Sequence, residues 1–268
     1  MIFKSYDYEE VKDMIYIGTS GYSYKDWIGP FYPEGIKDSY MLEYYSQHFN
    51  FTEVNSTYYH MPRLQLFESL NKKTPDGFKF AVKLFGGFTH ERSAGALEAQ
   101  QFNYALLPLI ESGKLTCLLA QFPYSFHYNE KNMEHLKRLK EWFENIEVVI
   151  EFRNREWIRS ETMQFLKKEG LGYVCVDEPD IKGLIKNVTA VTSRISYLRM
   201  HGRNAQKWYG SEGSDRYNYL YSKDELMEWV PRIKEMEKMS SITLVAFNNH
   251  PIGKAIINAR ELTDMLLI

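Results

Sequence analysis

Short apolar segments with strand character recur along the chain at 16–20, 51–57, 78–84, 115–122, 147–153, 171–177, 195–202 and 242–249. Stretches with helical spacing lie between most of them. Residues 130–145 carry Met133, Leu136, Leu139, Trp142 and Phe143 at that spacing. Residues 222–239 open with Ser222 and Glu225, spaced as a capping box, and continue with Leu226, Trp229, Val230 and Ile233. Residues 254–267 read as a closing helix. Strand and helix in alternation imply a parallel sheet. Eight such units imply closure into one α/β domain, a single (β/α)8 TIM barrel whose closed parallel sheet lies inside a ring of helices.

Strands of a parallel sheet are buried on both faces and should be apolar throughout. Here one parity turns polar toward its end: Phe51, Glu53, Asn55; Ala81, Lys83; Cys117, Leu119, Gln121; Val149, Glu151, Arg153. Tyr173, Cys175, Asp177 and Ile195, Tyr197, Arg199, His201 follow the same trend. The opposite parity stays apolar, as in Leu118, Ala120, Phe122 and in Val148, Ile150, Phe152. The apolar parity is expected beneath the helices. The other is expected inside the barrel, its last members at the C-terminal mouth where sites of this fold lie. Buried charge is costly unless paired or hydrated, so the alternative to a pocket is a salt-bridge network closing the barrel end, with Glu151–Arg153 as its leading pair. Cys117 and Cys175 both fall on the inward parity, where packing is expected rather than a disulfide.

The 268 residues match the roughly 250 of a typical barrel. Two domains of about 130 compete on length alone, but the strand pattern favours an N-terminal extension over 1–14 and one barrel over 15–268. A formal net charge of −2 argues against a general electrostatic grip on nucleic acid or anionic membrane, leaving room only for a local basic patch. Residues 1–14 contain no apolar core of a secretory signal, and no run approaches the roughly 18 apolar residues of a membrane span. A cytoplasmic protein is expected.

Glu53 and Glu151, on opposite sides of the ring, are the acid–base candidates, with His201 as a proton donor. Lys83, Arg153, Arg199 and Arg203 are candidate anion contacts. The loops after the seventh and eighth strands, His201–Asn204 and Asn248–Gly253, contain glycines that let backbone approach a ligand, and a helix starting near Gly253 would aim N–H groups at an anion. Ser20, Tyr22 and Tyr24 are expected on one pocket wall with Trp27 as a lid. Asn55, Gln121, Asp177, Asn248 and Asn249 complete the substrate-binding set. His60, His90, His201 and His250 lie near strand ends, but no zinc spacing is present, so no cofactor is expected and a divalent metal stays open. The aromatic, polar stretch 203–221 is long enough to be functional.

Several motifs together resemble the DUF72, or YecE-like, family: IGTSGYSYKDWIGPFYP at 17–33, EVNSTYY at 53–59, GFKFAVK at 77–83, QFPYSF at 121–126, EFRNREW at 151–157, RMHGR at 199–203 and FNNH at 247–250. Tyr22 stands where the family often has Trp, and FPYSF where LPPSF is common. The resemblance implies a TIM barrel and no established activity; an endonuclease IV-like role rests on fold analogy. Three readings follow. The first is an enzyme acting on a small polar or anionic, sugar- or phosphate-containing substrate by acid–base chemistry. The second is a nucleic-acid binder or metal-dependent phosphodiesterase. The third is a barrel that binds a metabolite without turning it over.

Overall fold

The computed structural model describes residues 14–185, 188–209 and 214–267. The barrel strands are β1 (Met14–Ser20), β2 (Phe51–Val54), β3 (Lys79–Lys83), β4 (Leu115–Gln121), β5 (Val148–Glu151), β6 (Gly172–Asp177), β7 (Ile195–Met200) and β8 (Ile242–Phe247). Each pairs in parallel with the next and β8 returns to β1, so the expected closed eight-stranded barrel is present. Of the expected N-terminal extension, only Met14 falls within the described residues, and it opens β1. No helix among the described residues is long and apolar enough to cross a membrane.

The outer layer follows the helical pattern. Asn129 caps Glu130–Trp142 by accepting from the Asn132 N–H at 2.9 Å. Leu136 and Leu139 of that helix are fully buried. The capping box at Ser222 and Glu225 forms, but the single helix expected over 222–239 is two: Lys223–Met227 and Val230–Lys238. Pro231 explains the break. It offers no N–H to the preceding turn, while its fixed φ suits the first turn of a new helix. Under the layer, Trp157 stacks on Phe152 at 4.4 Å and on Phe126 at 5.3 Å between ring centroids.

Strand register decides which side chains enter the barrel, because paired residues of parallel strands share a face. Glu53 pairs with Ala81, Ala81 with Cys117, Lys83 with Leu119, and Gln121 with Glu151. Tyr197 and Arg199 pair with Leu244 and Ala246 on the same inward face. On β6 the expected parity is reversed. Val149 pairs with Gly172, while Val174 and Val176 pair with Tyr197 and Arg199. The inward set is therefore Gly172, Val174, Val176 and then Glu178. Cys175 and Asp177 face the helices with Leu198 and Met200. Cys117 and Cys175 thus lie on opposite faces of the barrel wall, both as buried free thiols. The physical reason for the misreading is that both parities of this strand end in a carboxylate, Asp177 or Glu178.

Candidate active site at the barrel mouth

Inside the C-terminal end of the barrel the strands deliver a buried ionic network. Arg199 spans two fully buried carboxylates. Its Nε and Nη2 donate to Glu53 at 2.9 and 2.6 Å, and its Nη1 donates to Glu151 at 2.5 Å. Ser20 Oγ lies 3.4 Å from the same guanidinium. The Tyr197 hydroxyl donates to Glu53 at 2.6 Å. Arg153, just past β5, bridges Glu151 at 2.6 Å and Glu178 at 2.9 Å. A bidentate guanidinium–carboxylate pair is among the strongest polar contacts available in a dry interior.

His201 stands 3.2 Å from Glu151 through Nε2, and its Nδ1 faces the Asn248 amide nitrogen at 3.0 Å. Arg153 Nη2 lies 3.1 Å from the same Nε2, so this ring nitrogen sits between a carboxylate and a guanidinium. Burial, and then Arg153, push His201 down to about 3, with Glu151 opposing only in part. The ring is neutral at any ordinary pH. Burial acts to raise Glu151, but Arg153, Arg199 and His201 outweigh it and hold the carboxyl well below its usual range. The geometry therefore departs from the expected division of labour. Glu53 and Glu151 already accept on both oxygens, and His201 Nε2 is held between Glu151 and Arg153. These groups form the salt-bridge floor that was the alternative to a catalytic set.

Above the floor opens a cavity of roughly 310 Å³. Asn55, Lys83, Gln121, Arg153, Arg199 and Asn248 line it, as expected of the inward parity. Lys83 Nζ donates to Gln121 Oε1 at 3.0 Å and lies 4.6 Å from the centre of the Tyr58 ring. Among the described residues no carboxylate lies within ion-pairing distance of it. Burial first, and Arg199 second, lower its ammonium to about 8 against the pull of Glu53 and Glu151. Asn55 Oδ1 and His250 Nδ1, both on this cavity, are buried with no hydrogen-bond partner among the described residues. A buried polar atom without a partner costs on the order of 1–3 kcal/mol.

Six of the expected binding residues are elsewhere: Ser20 is fully buried beside Arg199 in the floor, and five others lie farther off. Trp27 is fully buried and donates to the His250 carbonyl at 2.7 Å, so it pins the first loop rather than acting as a lid. Tyr22 packs beside Tyr45 beneath that loop, at 6.2 Å between ring centroids, while Tyr24 reaches the cavity and stacks on His250 at 4.3 Å. Asp177, on the helix side of the wall, accepts from Arg203, from the Tyr221 hydroxyl at 2.8 Å and from Trp229 Nε1 at 2.7 Å. Arg203 is further tied to Glu225 and Glu228. Asn249 also faces outward, donating to the Tyr219 carbonyl and to Asn258, because adjacent residues leaving a strand point to opposite sides. Just before the start of Lys254–Leu266, the Asp26 carboxylate accepts from the Ile252 N–H at 2.7 Å.

Tyr58, Tyr59, Tyr217 and Glu178 were not among the expected site residues. Tyr58 and Tyr59 follow Asn55 directly in the STYY run and flank the cavity. Tyr217 comes from the long segment after β7, the part of 203–221 that reaches the site. Glu178 was hidden by the β6 parity. Burial lifts its carboxyl to about 7, with Arg153 and the Ile185 N–H pulling only partly the other way. Among the described residues no three His, Cys, Asp or Glu gather in a metal-holding arrangement.

Comparison with known proteins agrees with the architecture. The family model "Protein of unknown function DUF72" matches residues 16–268. The Bacillus subtilis protein YunF, of the UPF0759 group, is 32% identical over 270 residues, spanning 94% of this chain and 95% of YunF. The crystal structure of a DUF72 family protein from Thermotoga maritima superposes with a TM-score of 0.89 at 40% identity, over 95% of this chain and all of that one. A DUF72 family protein from Enterococcus faecalis gives 0.85 at 26% identity, covering 95% and 96% of the two chains.

Proposed function

The chain belongs to the DUF72 family, whose activity is not established, and on that footing we propose that its mouth cavity binds a small, anionic, polyhydroxylated molecule and performs acid–base chemistry on it. The observation that carries this reading is Lys83, a cation turned into a cavity with no carboxylate within ion-pairing distance among the described residues. An anionic group, phosphate or carboxylate, supplies the missing partner, and Arg153 lies on the same cavity to share it. Asn55 Oδ1 and His250 Nδ1 take hydroxyl groups. Tyr24, Tyr58, Tyr59 and Tyr217 offer ring faces to the C–H side of a sugar or polyol. The volume suits a ligand of that size, at the lower end of the range for small-molecule sites.

In this reading the acid–base group is Lys83, whose proton affinity lies near neutrality. Glu53 and Glu151 act at one remove, by fixing Arg199 and Arg153. The nucleic-acid reading draws less support, since Arg203 is committed to Asp177, Glu225 and Glu228 and the net charge is −2.

The test is a calorimetric screen of phosphorylated and carboxylated sugars and polyols. At least one is expected to bind, and Lys83→Met is expected to weaken it tenfold or more, about 1.4 kcal/mol. A screen with no binder, or a binder indifferent to Lys83→Met, overturns the proposal.

A further inference from the structure

Lys83 also has the surroundings of a nucleophile, in the fraction that has lost its proton. A lysine kept for its charge is ordinarily met by a carboxylate, and carboxylates are plentiful in this barrel. Each of them is aimed elsewhere: Glu53 at Arg199, Glu151 at Arg199 and Arg153, and Glu178 at Arg153. Lys83 is the last residue of β3, held by one neutral acceptor, Gln121 Oε1, and by the face of Tyr58. The Gln121 contact does not require the charged form, because a neutral amine still donates that hydrogen bond and keeps its lone pair, whereas the Tyr58 face favours the ammonium.

The geometry points to Lys83 as a Schiff-base residue that condenses with the aldehyde or ketone of an anionic hydroxycarbonyl compound. This rests on the function proposed above and names the reactive group of its ligand. Lys83 Nζ, as the free amine, adds to the carbonyl carbon. The C–N bond forms, the C=O π pair moves to oxygen, and that oxygen takes up a proton. The nitrogen loses a proton, the hydroxyl leaves as water, and a protonated imine remains. The sum is one ammonium plus one carbonyl giving one iminium plus one water. The iminium is an electron sink that eases loss of a proton or a carbon fragment from the adjacent carbon.

Two further observations agree. Amine pKa falls when burial and like charge oppose the ammonium, and Lys83 at about 8 holds a free-base fraction near pH 7 roughly 300-fold above that of a lysine at the usual 10.5. Arg153 on the same cavity can hold the anionic end, leaving Asn55 Oδ1 and His250 Nδ1 for hydroxyls.

The experiment treats the full chain with dihydroxyacetone phosphate or pyruvate in the presence of borohydride, followed by peptide mass mapping. In parallel, calorimetry measures binding of these probes and of their alcohol counterparts, glycerol 3-phosphate and lactate. The expected result is an adduct on Lys83 equal to the probe's mass less one oxygen, absent in Lys83→Arg. Binding of a probe with no Lys83 adduct, or labelling spread evenly over surface lysines such as Lys131, overturns the Schiff-base inference and leaves the binding proposal standing. Failure of all probes and counterparts to bind, with no adduct, counts against both.

Discussion

Replacing Arg199 by Met should cost the protein about 3–5 kcal/mol at pH 7, the usual price of leaving a buried charge without its partner. The arginine is held by four contacts: two to Glu53, one to Glu151 and a longer one to Ser20. Met fills a similar volume, so the loss is electrostatic rather than a cavity. The two carboxylates do not suffer equally. Glu151 keeps Arg153 and His201, whereas Glu53 keeps only the Tyr197 hydroxyl among the described residues. Most of the penalty therefore belongs to Glu53. The assay is urea unfolding of the wild type, Arg199→Met, Glu53→Gln and the double variant. With an m-value of about 3 kcal/mol per molar, Arg199→Met should move the midpoint down by about 1–2 M. In the Glu53→Gln background the same change should cost less than half as much, since no charge is stranded. A midpoint shift of only a few tenths molar, or equal costs in both backgrounds, refutes the reading of this cluster as an ionic floor.

Other expectations follow from the same contacts. Glu178 has a folded-state pKa raised to about 7, so the stability it contributes is present below its unfolded value near 4.5 and is lost as pH rises through 7. The sensitivity is about 3 kcal/mol, and Glu178→Gln should flatten the stability profile between pH 5 and 8 in denaturant titrations. Glu151 has the opposite sign: its depressed pKa lends stability above the unfolded value that is lost at lower pH, so acid unfolding monitored by circular dichroism should steepen below about pH 4. Asp177→Ala leaves Tyr221 and Trp229 without their acceptor while Arg203 keeps Glu225 and Glu228, and should destabilise by about 1–3 kcal/mol in thermal melts while leaving ligand binding at the mouth intact. Trp27→Ala removes a fully buried indole and should cost about 3–5 kcal/mol; little effect would mean that the first loop is not pinned by it.

The barrel was legible because most strands carry one polar-ending parity and one that stays apolar. On β7, Tyr197, Arg199 and His201 alternate with Leu198 and Met200, and the structure separates them accordingly. On β6 the same rule had nothing to grip, because Asp177 and Glu178 end the two parities alike. The helix break at Pro231 was open to reading from its chemistry, which outranks apolar periodicity. What alternation cannot supply is whether an inward charge faces solvent or another charge. Glu53, Lys83 and Glu151 look equivalent along the chain, yet two are saturated and one is not. That difference depends on reach between strands far apart in sequence, such as the 146 residues separating Glu53 from Arg199. The loop aromatics divided for a similar reason: Trp27 and Tyr24 lie three apart, and the loop's turn sends one under the surface and the other into the cavity.

The neighbouring carboxylates of β6 carry one further consequence, for folding fidelity. A one-residue slip of a strand exchanges its two faces. Slipping β6 would bring Asp177 toward Arg153 and Glu178 toward Trp229 and Tyr221, so electrostatics alone barely distinguish the right pairing from the wrong one. Shape has to. At Gly172 a Cβ would lie 2.7 Å from the Val149 side chain and 2.8 Å from Ser193 Oγ, so the slipped arrangement, with Tyr173 in that place, is blocked by collision. A residue with no side chain thus acts as the proofreading element of the barrel wall, keeping one acidic group in the floor and its neighbour in the helix layer.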